Sequence, residues 1–429
     1  MSRILVAASP VYGHFAPLKR VAAFLAGRGH DVTLLSHEQF RPMAGENVRY
    51  EAFTGEAGID VEQAHAEPER LAIPAGPERF AWDMRNIFVK AVAPQFRDVQ
   101  RILAEAGDEP VVLIYETAFL GAAPSLLGAP GPRPAATIGL GPVAFTLSSV
   151  DTAPFGMGLA PDSSEEGRAR HREANAFMQE QLLGPAQGLF EQTLAELGVT
   201  AAEIPFFLDS PVLNADLFLQ MSVEELSYMR SDTPAHVRFI GTLPPADAGG
   251  ELPEWWPEVE AAERVVVVTQ GTIANQDFGE LIEPALDGLA SFPGLVIAAT
   301  GRPGEVRNVP ANARVTEFVP FDELLPHADV FVTNGGFGAV QQSLRNGVPM
   351  VAAGLSEEKL ESNVRLAATG AAVNLASQRA APAEIRKAVE EVVATASYRN
   401  NARRLAADYA AVDAFGEIER ALAELTHYL

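Results

Sequence analysis

The chain predicts an α/β fold of two Rossmann-like domains facing across a cleft, and three features carry that prediction. Each half opens on a short apolar run, a polar glycine-bearing loop and a helical segment: Arg3–Ala8 with Gly13-His14 first, Val265–Thr269 with Gly271-Thr272 later. Short runs without polar alternation mark strands buried on both faces, as in parallel sheets covered by helices. At 429 residues the chain is too long for a single core. Between the halves, Leu243–Pro257 (LPPADAGGELPEWWP) clusters prolines, glycines and acids and reads as a linker. The expected division is 1–242, a linker at 243–262, 263–411, and a terminal helix at 412–429.

Arg3–Ala8 is a buried-strand pattern. Ser9–Pro17 reads as a loop, with a helix from about Leu18 to Gly27 and a second strand at Asp31–Leu35. Strand, helix, strand in that order implies parallel pairing. The first turn, SPVYGH, lacks the G-x-G-x-x-G fingerprint of dinucleotide binders, which argues against an NAD-type oxidoreductase. Residues 78–103 read as helical, interrupted at Pro94. Val111–Tyr115 is another buried strand that delivers Glu116 at its C-terminal end. Ligands of open parallel sheets lie beyond strand C-termini, so His14 and Glu116 occupy comparable places.

Ala135–Ile138 suggests the next strand. Phe145–Pro161 is apolar and rich in glycine and proline, the composition of a binding loop, a lid or a packed crossover. Glu165–Leu197 is helical in pattern, and Asp216–Gln220 and Arg238–Ile240 are late strands. In the second half, Val265–Thr269 and Leu295–Thr300 are strands around a helix at Phe278–Ala290. The most informative stretch is Asp329–Leu344: the apolar run Val330-Phe331-Val332 stops at Thr333-Asn334, and Gly335, Gly336 and Gly338 precede a helix from near Ala339. A helix start presents unpaired N–H groups and a positive dipole end, and glycine lets an anion approach the backbone. The stretch reads as a diphosphate seat or as an ordinary tight turn between strand and helix. Val412–Leu425 is helical despite Gly416.

A formal net charge of −24 disfavours nucleic acids and anionic membranes as partners. Without cysteine there is no disulfide, thiol nucleophile or Cys-zinc site. The Ile4–Ala8 run is too short for a signal-peptide core, and the uncharged stretches 117–132 and 134–150 are broken by glycine and proline. The reading is a soluble, cytoplasmic chain without stable membrane association. Its oligomeric state is left open, a homodimer included. The histidines form no His-x-x-x-His spacing, so no metal and no cofactor is expected.

Phe318-Val319-Pro320-Phe321 precedes the glycine stretch, and Gly347-Val348-Pro349-Met350 and Glu358-Lys359 follow it. The whole segment resembles the nucleotide-sugar-binding region of the family-1 glycosyltransferases, most closely the actinobacterial macrolide-type branch. Gly13-His14-Phe15-Ala16-Pro17 resembles that family's Gly-His-x-x-Pro. The resemblance implies the GT-B fold, with the last helix crossing back to the first domain. It also implies inverting, metal-independent transfer of a sugar from a UDP- or TDP-sugar to a hydroxyl of an apolar small molecule, giving a β-glycoside. A GT-B auxiliary protein that stabilises a partner transferase is the alternative.

In this frame His14 is the base, since imidazole titrates near neutrality; otherwise it is a loop histidine capping a helix. Glu116 stands where the family usually has Asp and either orients His14 or faces solvent at a strand end. Asn334 replaces the family histidine at the leaving group, giving an N–H but no charge. Backbone N–H groups around Gly336 to Ala339, with Thr272, then carry more of that contact, and Gly335, Gly336 and Gly338 are the donor-binding glycines. Phe318 replaces a base-stacking Trp, or is a core aromatic. Gln342 replaces a Glu at the ribose hydroxyls and hints at a thymidine donor. Glu358-Lys359 replaces Asp/Glu-Gln at the sugar, or is a solvated helix start. Trp82, Phe88, Phe145, Phe155 and Met157 are expected to line the acceptor site.

Overall fold

The computed structural model describes residues 1–74, 76–245, 252–271, 275–356 and 358–427. Its first sheet joins β1 (Arg3–Ala7), β2 (Asp31–Ser36), β3 (Arg49–Ala52), β4 (Val111–Glu116), β5 (Ala136–Gly141), β6 (Leu217–Gln220) and β7 (Val237–Phe239) in the order β3-β2-β1-β4-β5-β6-β7. The second joins β8 (Val265–Thr269), β9 (Leu295–Ala299), β10 (Ala313–Thr316), β11 (Val330–Thr333), β12 (Met350–Ala352) and β13 (Ala372–Asn374) in the order β10-β9-β8-β11-β12-β13. Every pairing is parallel. Helices cover both faces, which is why β4, β8 and β9 are buried throughout instead of alternating. Strand order reverses between β1 and β4 and again between β8 and β11. A crevice opens beyond the strand ends at such reversals.

Several helix boundaries differ from expectation. Helix α1 runs Tyr12–Gly27, so the expected loop at 9–17 is in large part the first turns of a helix with Pro17 inside it. The proline removes only the bond to the carbonyl of Gly13, an exposed residue whose oxygen water can reach. Pro94 breaks nothing: it lies in the first turn of α2 (Val92–Glu105), where N–H groups have no intrahelical partner. The irregularity lies upstream, in a π-helical segment at Met84–Val89. Helices α3 (Glu165–Phe177) and α4 (Gly184–Glu196) follow the long Gly141–Glu165 connection. The expected helix at 278–290 is a 3₁₀ turn at Phe278–Glu280 followed by α5 (Ile282–Leu289).

After β11 comes α6 (Phe337–Arg345), after β12 α7 (Lys359–Ala368), and after β13 α8 (Pro382–Ala394) and α9 (Ala396–Ala410). Between the sheets, Leu243 belongs to the first apolar core, while Trp256 and Val259 belong to the second; residues 246–251 of the expected linker lie outside the described residues. The last helix, α10 (Ala414–Thr426), returns to the first sheet. Ile418, Ala421 and Leu422 join the core containing Ile4, Phe15 and Leu18, and Phe415 stacks on Phe24 at 4.2 Å. Arg28–Glu419 and Arg238–Glu424 ion pairs border that contact.

Candidate active site

Both strand-order reversals carry the polar residues that the sequence singled out. In the first sheet, β1 and β4 are neighbours in register at Ala7 and Tyr115. The chain leaving β1 turns through Ser9 into α1, which places His14 in its first turn, and β4 ends on Glu116. His14 Nδ1 lies 2.7 Å from Glu116 Oε2. The Glu116 side chain is 0% exposed and so needs its oxygens satisfied. Ser9 N–H donates to Oε1 at 3.0 Å, the Ser9 hydroxyl donates to the same oxygen, and Ala118 N–H donates to Oε2 at 2.7 Å. The bond from Ala118, two residues ahead, folds the side chain back along its own strand end. That takes up the extra methylene relative to Asp.

Burial pushes the His14 imidazole toward its neutral form, but the charge and hydrogen bond of Glu116 outweigh this, with Glu358 adding to them. The net effect holds the imidazole above its ordinary value. For Glu116, burial raises the carboxyl, yet His14, Ser9 and the Ala118 amide together hold it below the usual carboxylate range. With Glu116 ionised, Nδ1–H donates to it and Nε2 is left as a proton acceptor. The imidazole keeps 15% exposure, enough to meet a ligand from the crevice.

In the second sheet the register pairs Thr269 of β8 with Thr333 of β11. Gln270 and Gly271 follow the first, Asn334 and Gly335 the second. Asn334 Nδ2 donates to the Gln270 carbonyl, and its Oδ1 accepts from Gly336 N–H at 3.3 Å. The amide expected to face a phosphate thus ties the two loops together, with its second N–H hydrogen remaining. Asn363 of α7 donates to the carbonyls of Asn334 (3.3 Å) and Gly354 (3.1 Å). Gly335 has φ +93°, and a Cβ there would collide with Asn363 Oδ1, so only glycine fits. Gly336 caps α6, which starts at Phe337 rather than near Ala339, and Gly338 is exposed in its first turn.

Gln342 is half-buried farther along α6. Phe318 is 62% exposed, which removes the reading of a core aromatic. Lys359 is buried and Glu358 half-buried, so the reading of a solvated helix start fails for the lysine. Its stem packs toward Gly354, where a Cβ would stand 3.3 Å from Lys359 Cδ. Thr272 lies outside the described residues. Among the described residues no group of His, Cys, Asp and Glu is placed to hold a metal ion, and no helix is long and apolar enough to cross a membrane.

Comparisons with known proteins bear on the fold and the family. A family model described as the C-terminal domain of erythromycin biosynthesis protein CIII-like proteins matches residues 283–425. The crystal structure of the kitacinnamycin glycotransferase superposes with a TM-score of 0.76 at 19% identity over 99% of both chains, which shows the fold. UDP-glycosyltransferase 2 of Phaeomoniella chlamydospora is 39% identical over 98% of this chain and 95% of its own length. This chain belongs to the GT-B nucleotide-sugar glycosyltransferases. A further relative, 4'-demethylrebeccamycin synthase of Lentzea aerocolonigenes, is 34% identical over 96% of this chain and 97% of its own. These relatives do not single out a macrolide branch.

Two of the residues expected to line the acceptor site need correction. Phe145 is fully buried against Phe218 and Phe239 with Arg230 over its ring, so it is a core residue and not a pocket wall. Apolarity alone does not distinguish the two. Phe155 is nearly buried too, but in the apolar cluster of the second lobe. Phe88 and Met157 are half-buried in one apolar cluster, and Trp82 is half-buried in the helix Pro77–Asp83. The sequence reading missed Ser9, Gln270 and Asn363. A buried acid at a strand end requires nearby donors, but the burial of Glu116 is itself seen only in the structure, so the sequence held no signal for Ser9.

Proposed function

We propose that this glycosyltransferase moves a sugar, with inversion, from a UDP- or TDP-sugar to a hydroxyl of an apolar small molecule, giving a β-glycoside. His14 Nε2 takes the acceptor proton as the acceptor oxygen bonds to the anomeric carbon. The bond from that carbon to the diphosphate oxygen breaks, and the diphosphate leaves with the electron pair. Glu116 stabilises the imidazolium that forms. The diphosphate sits at the start of α6, against the first-turn N–H groups of Phe337, Gly338 and Ala339, and no metal is required. Gly335 and Gly336, whose own N–H groups are taken by Thr333 and Asn334, shape that turn. Asn334 keeps one N–H for the phosphate, and Thr272 is a further expected contact. Phe318 stacks on the base, Gln342 meets the ribose, and Glu358 with Lys359 holds the sugar. Trp82, Phe88 and Met157 face the acceptor. In this reading residues 1–242 hold the acceptor and 263–411 the donor, joined by 243–262, with 412–429 crossing back, and the enzyme works in the cytoplasm.

The observation that carries this reading is the 2.7 Å bond between His14 Nδ1 and Glu116 Oε2 at the end of the first sheet, in a lobe whose Gly156 and Gly158 N–H groups reach Glu361 in the first turn of α7, beside Glu358 and Lys359. The lobe that carries the base therefore meets the end of α7 next to the expected donor residues. The tie between Asn334 and the Gln270 carbonyl favours the auxiliary-protein reading, because it takes a donor from the phosphate; the satisfied His14–Glu116 pair weighs against it. A thermal-shift screen with UDP, TDP and their glucose conjugates separates these readings from a chain that binds no nucleotide, since a ligand at a hundred times its Kd adds about 2.7 kcal/mol. His14→Ala is expected to cut transfer by about 10²–10⁴-fold while nucleotide still raises the melting temperature. Equal loss of binding and turnover would contradict the division between lobes.

A further inference from the structure

The connection between β5 and α3 does not stay on its own lobe. Phe155 enters the apolar cluster of the second lobe, and the backbone on either side of Met157 is hydrogen-bonded to α7. Gly156 N–H and Gly158 N–H donate to Glu361 Oε2 at 3.3 and 3.2 Å, while Glu361 Oε1 accepts from Arg365 Nε at 2.8 Å. A Cβ at Gly158 would collide with Leu360, so the loop lies flat on the helix only because that residue is glycine. Arg365 is 1% exposed, and its guanidinium lies over the rings of Phe155 at 5.9 Å and Tyr228 at 5.1 Å, both from the first lobe.

This contact is built at a cost. Glu361 and Arg365 are a buried ion pair, for which desolvation offsets much of the attraction. Arg365 Nη1 and the Tyr228 hydroxyl are buried without a hydrogen-bond partner among the described residues. Tyr228 also holds φ +63°, a left-handed conformation unfavourable to a residue with a Cβ. Packing for stability alone would favour apolar groups here. What the carboxylate does that they cannot is accept bonds on both oxygens, one bond from its own helix on Oε1 and two from the opposite lobe on Oε2. Glu361 stands two residues after Lys359, at the end of α7 that faces the sugar in the function proposed above.

We propose that Glu361 is a positioning residue: its carboxylate holds the 153–161 loop of the acceptor lobe on the donor-lobe helix α7 and so sets the acceptor wall relative to the sugar. The proposal rests on the glycosyl-transfer reading for its purpose, but the contact is tested without substrate. In Glu361→Gln one carboxylate oxygen becomes an NH₂ group, so the side chain cannot serve both Arg365 and the loop. Hydrogen exchange of peptides covering 153–161 is expected to accelerate at least about tenfold while peptides from β8 to β13 stay unchanged. Adding Arg365→Gln frees the one remaining amide oxygen at position 361 for the loop, and the double variant is expected to recover most of the protection. A merely stabilising ion pair would leave the double variant as exposed as the single one.

Gly158→Ala, which meets Leu360 from the loop side and leaves the ion pair intact, should reproduce the single variant if Glu361→Gln does not fold. UDP and TDP affinities, measured alongside, should stay within about twofold. Exchange in Glu361→Gln within twofold of wild type, or no recovery in the double variant, would overturn the proposal. Failure of wild type to bind either nucleotide would instead count against the glycosyl-transfer reading.

Discussion

An acid one methylene longer than aspartate has to be folded back to serve His14, and at position 116 hydrogen bonds do this. Ser9 takes one oxygen, and Ala118 and His14 share the other. Glu116→Gln keeps the shape and removes the charge, so burial becomes the dominant influence on the imidazole. His14 is then expected to titrate at lower pH by NMR, and the acid limb of kcat/KM to move the same way with a lower plateau. Stability has its own sign. His14, held above its ordinary value, contributes fully below that value and loses the contribution as pH rises through the raised one. Glu116, held below its ordinary value, contributes above it and loses this as pH falls through the depressed one. The pair therefore stabilises wild type most between the ordinary carboxylate and imidazole ranges, and melting curves of the variant should lack that excess. An unchanged His14 titration would show that the charge is not what acts. The placement of His14 and Glu116 beyond neighbouring strand ends was legible from the strand pattern, and the choice of His14 as base came from the resemblance of Gly13–Pro17 to a family motif. Ser9 and Asn363 were not legible, since their partners lie 107 and 29 residues away.

At the scale of the element, the glycines of one turn have separate jobs. Gly335 is forced by its positive φ and by Asn363 above it; Gly338 has neither constraint, with nothing within 4 Å of a Cβ. Gly335→Ala is expected to lower stability by about 2 kcal/mol or more and to abolish nucleotide binding with it. Gly338→Ala, inside α6, should gain about 0.5–1 kcal/mol by the helical preference for alanine. If the diphosphate approaches that turn, Gly338→Ala should weaken nucleotide binding while raising the melting temperature. Both quantities are read from one set of melts with and without UDP or TDP. A Gly335→Ala variant as stable as wild type would remove the reason given for that glycine. The strands around these turns were legible from runs such as Val265–Val268, which have no polar side to confuse their burial. Helix ends were less so, because a proline within the first turns, as at 17 and 94, reads as a break when only the pattern is seen.

The whole molecule depends on its last forty residues touching both lobes. Leu405 and Tyr409 of α9 lie in a core of the second lobe, and Ile418, Ala421 and Leu422 of α10 lie in the first beside α1, which carries His14. That return was legible only through the family resemblance, since nothing in the local pattern of 412–425 says which surface it meets. Ile418 is fully buried, and Ile418→Ala leaves a cavity worth about 2–5 kcal/mol. The loss should fall on the first lobe, because the second sheet has its own cores and the glycine turn after β11 lies among them. Calorimetry is therefore expected to show the first-lobe transition moved down, while UDP or TDP binds with affinity within about threefold of wild type. Transfer should fall more than nucleotide affinity, since α1 places His14 and rests on α10. If affinity instead drops in step with the melting temperature, the lobes fold as one unit and the donor seat depends on the helix that crosses back.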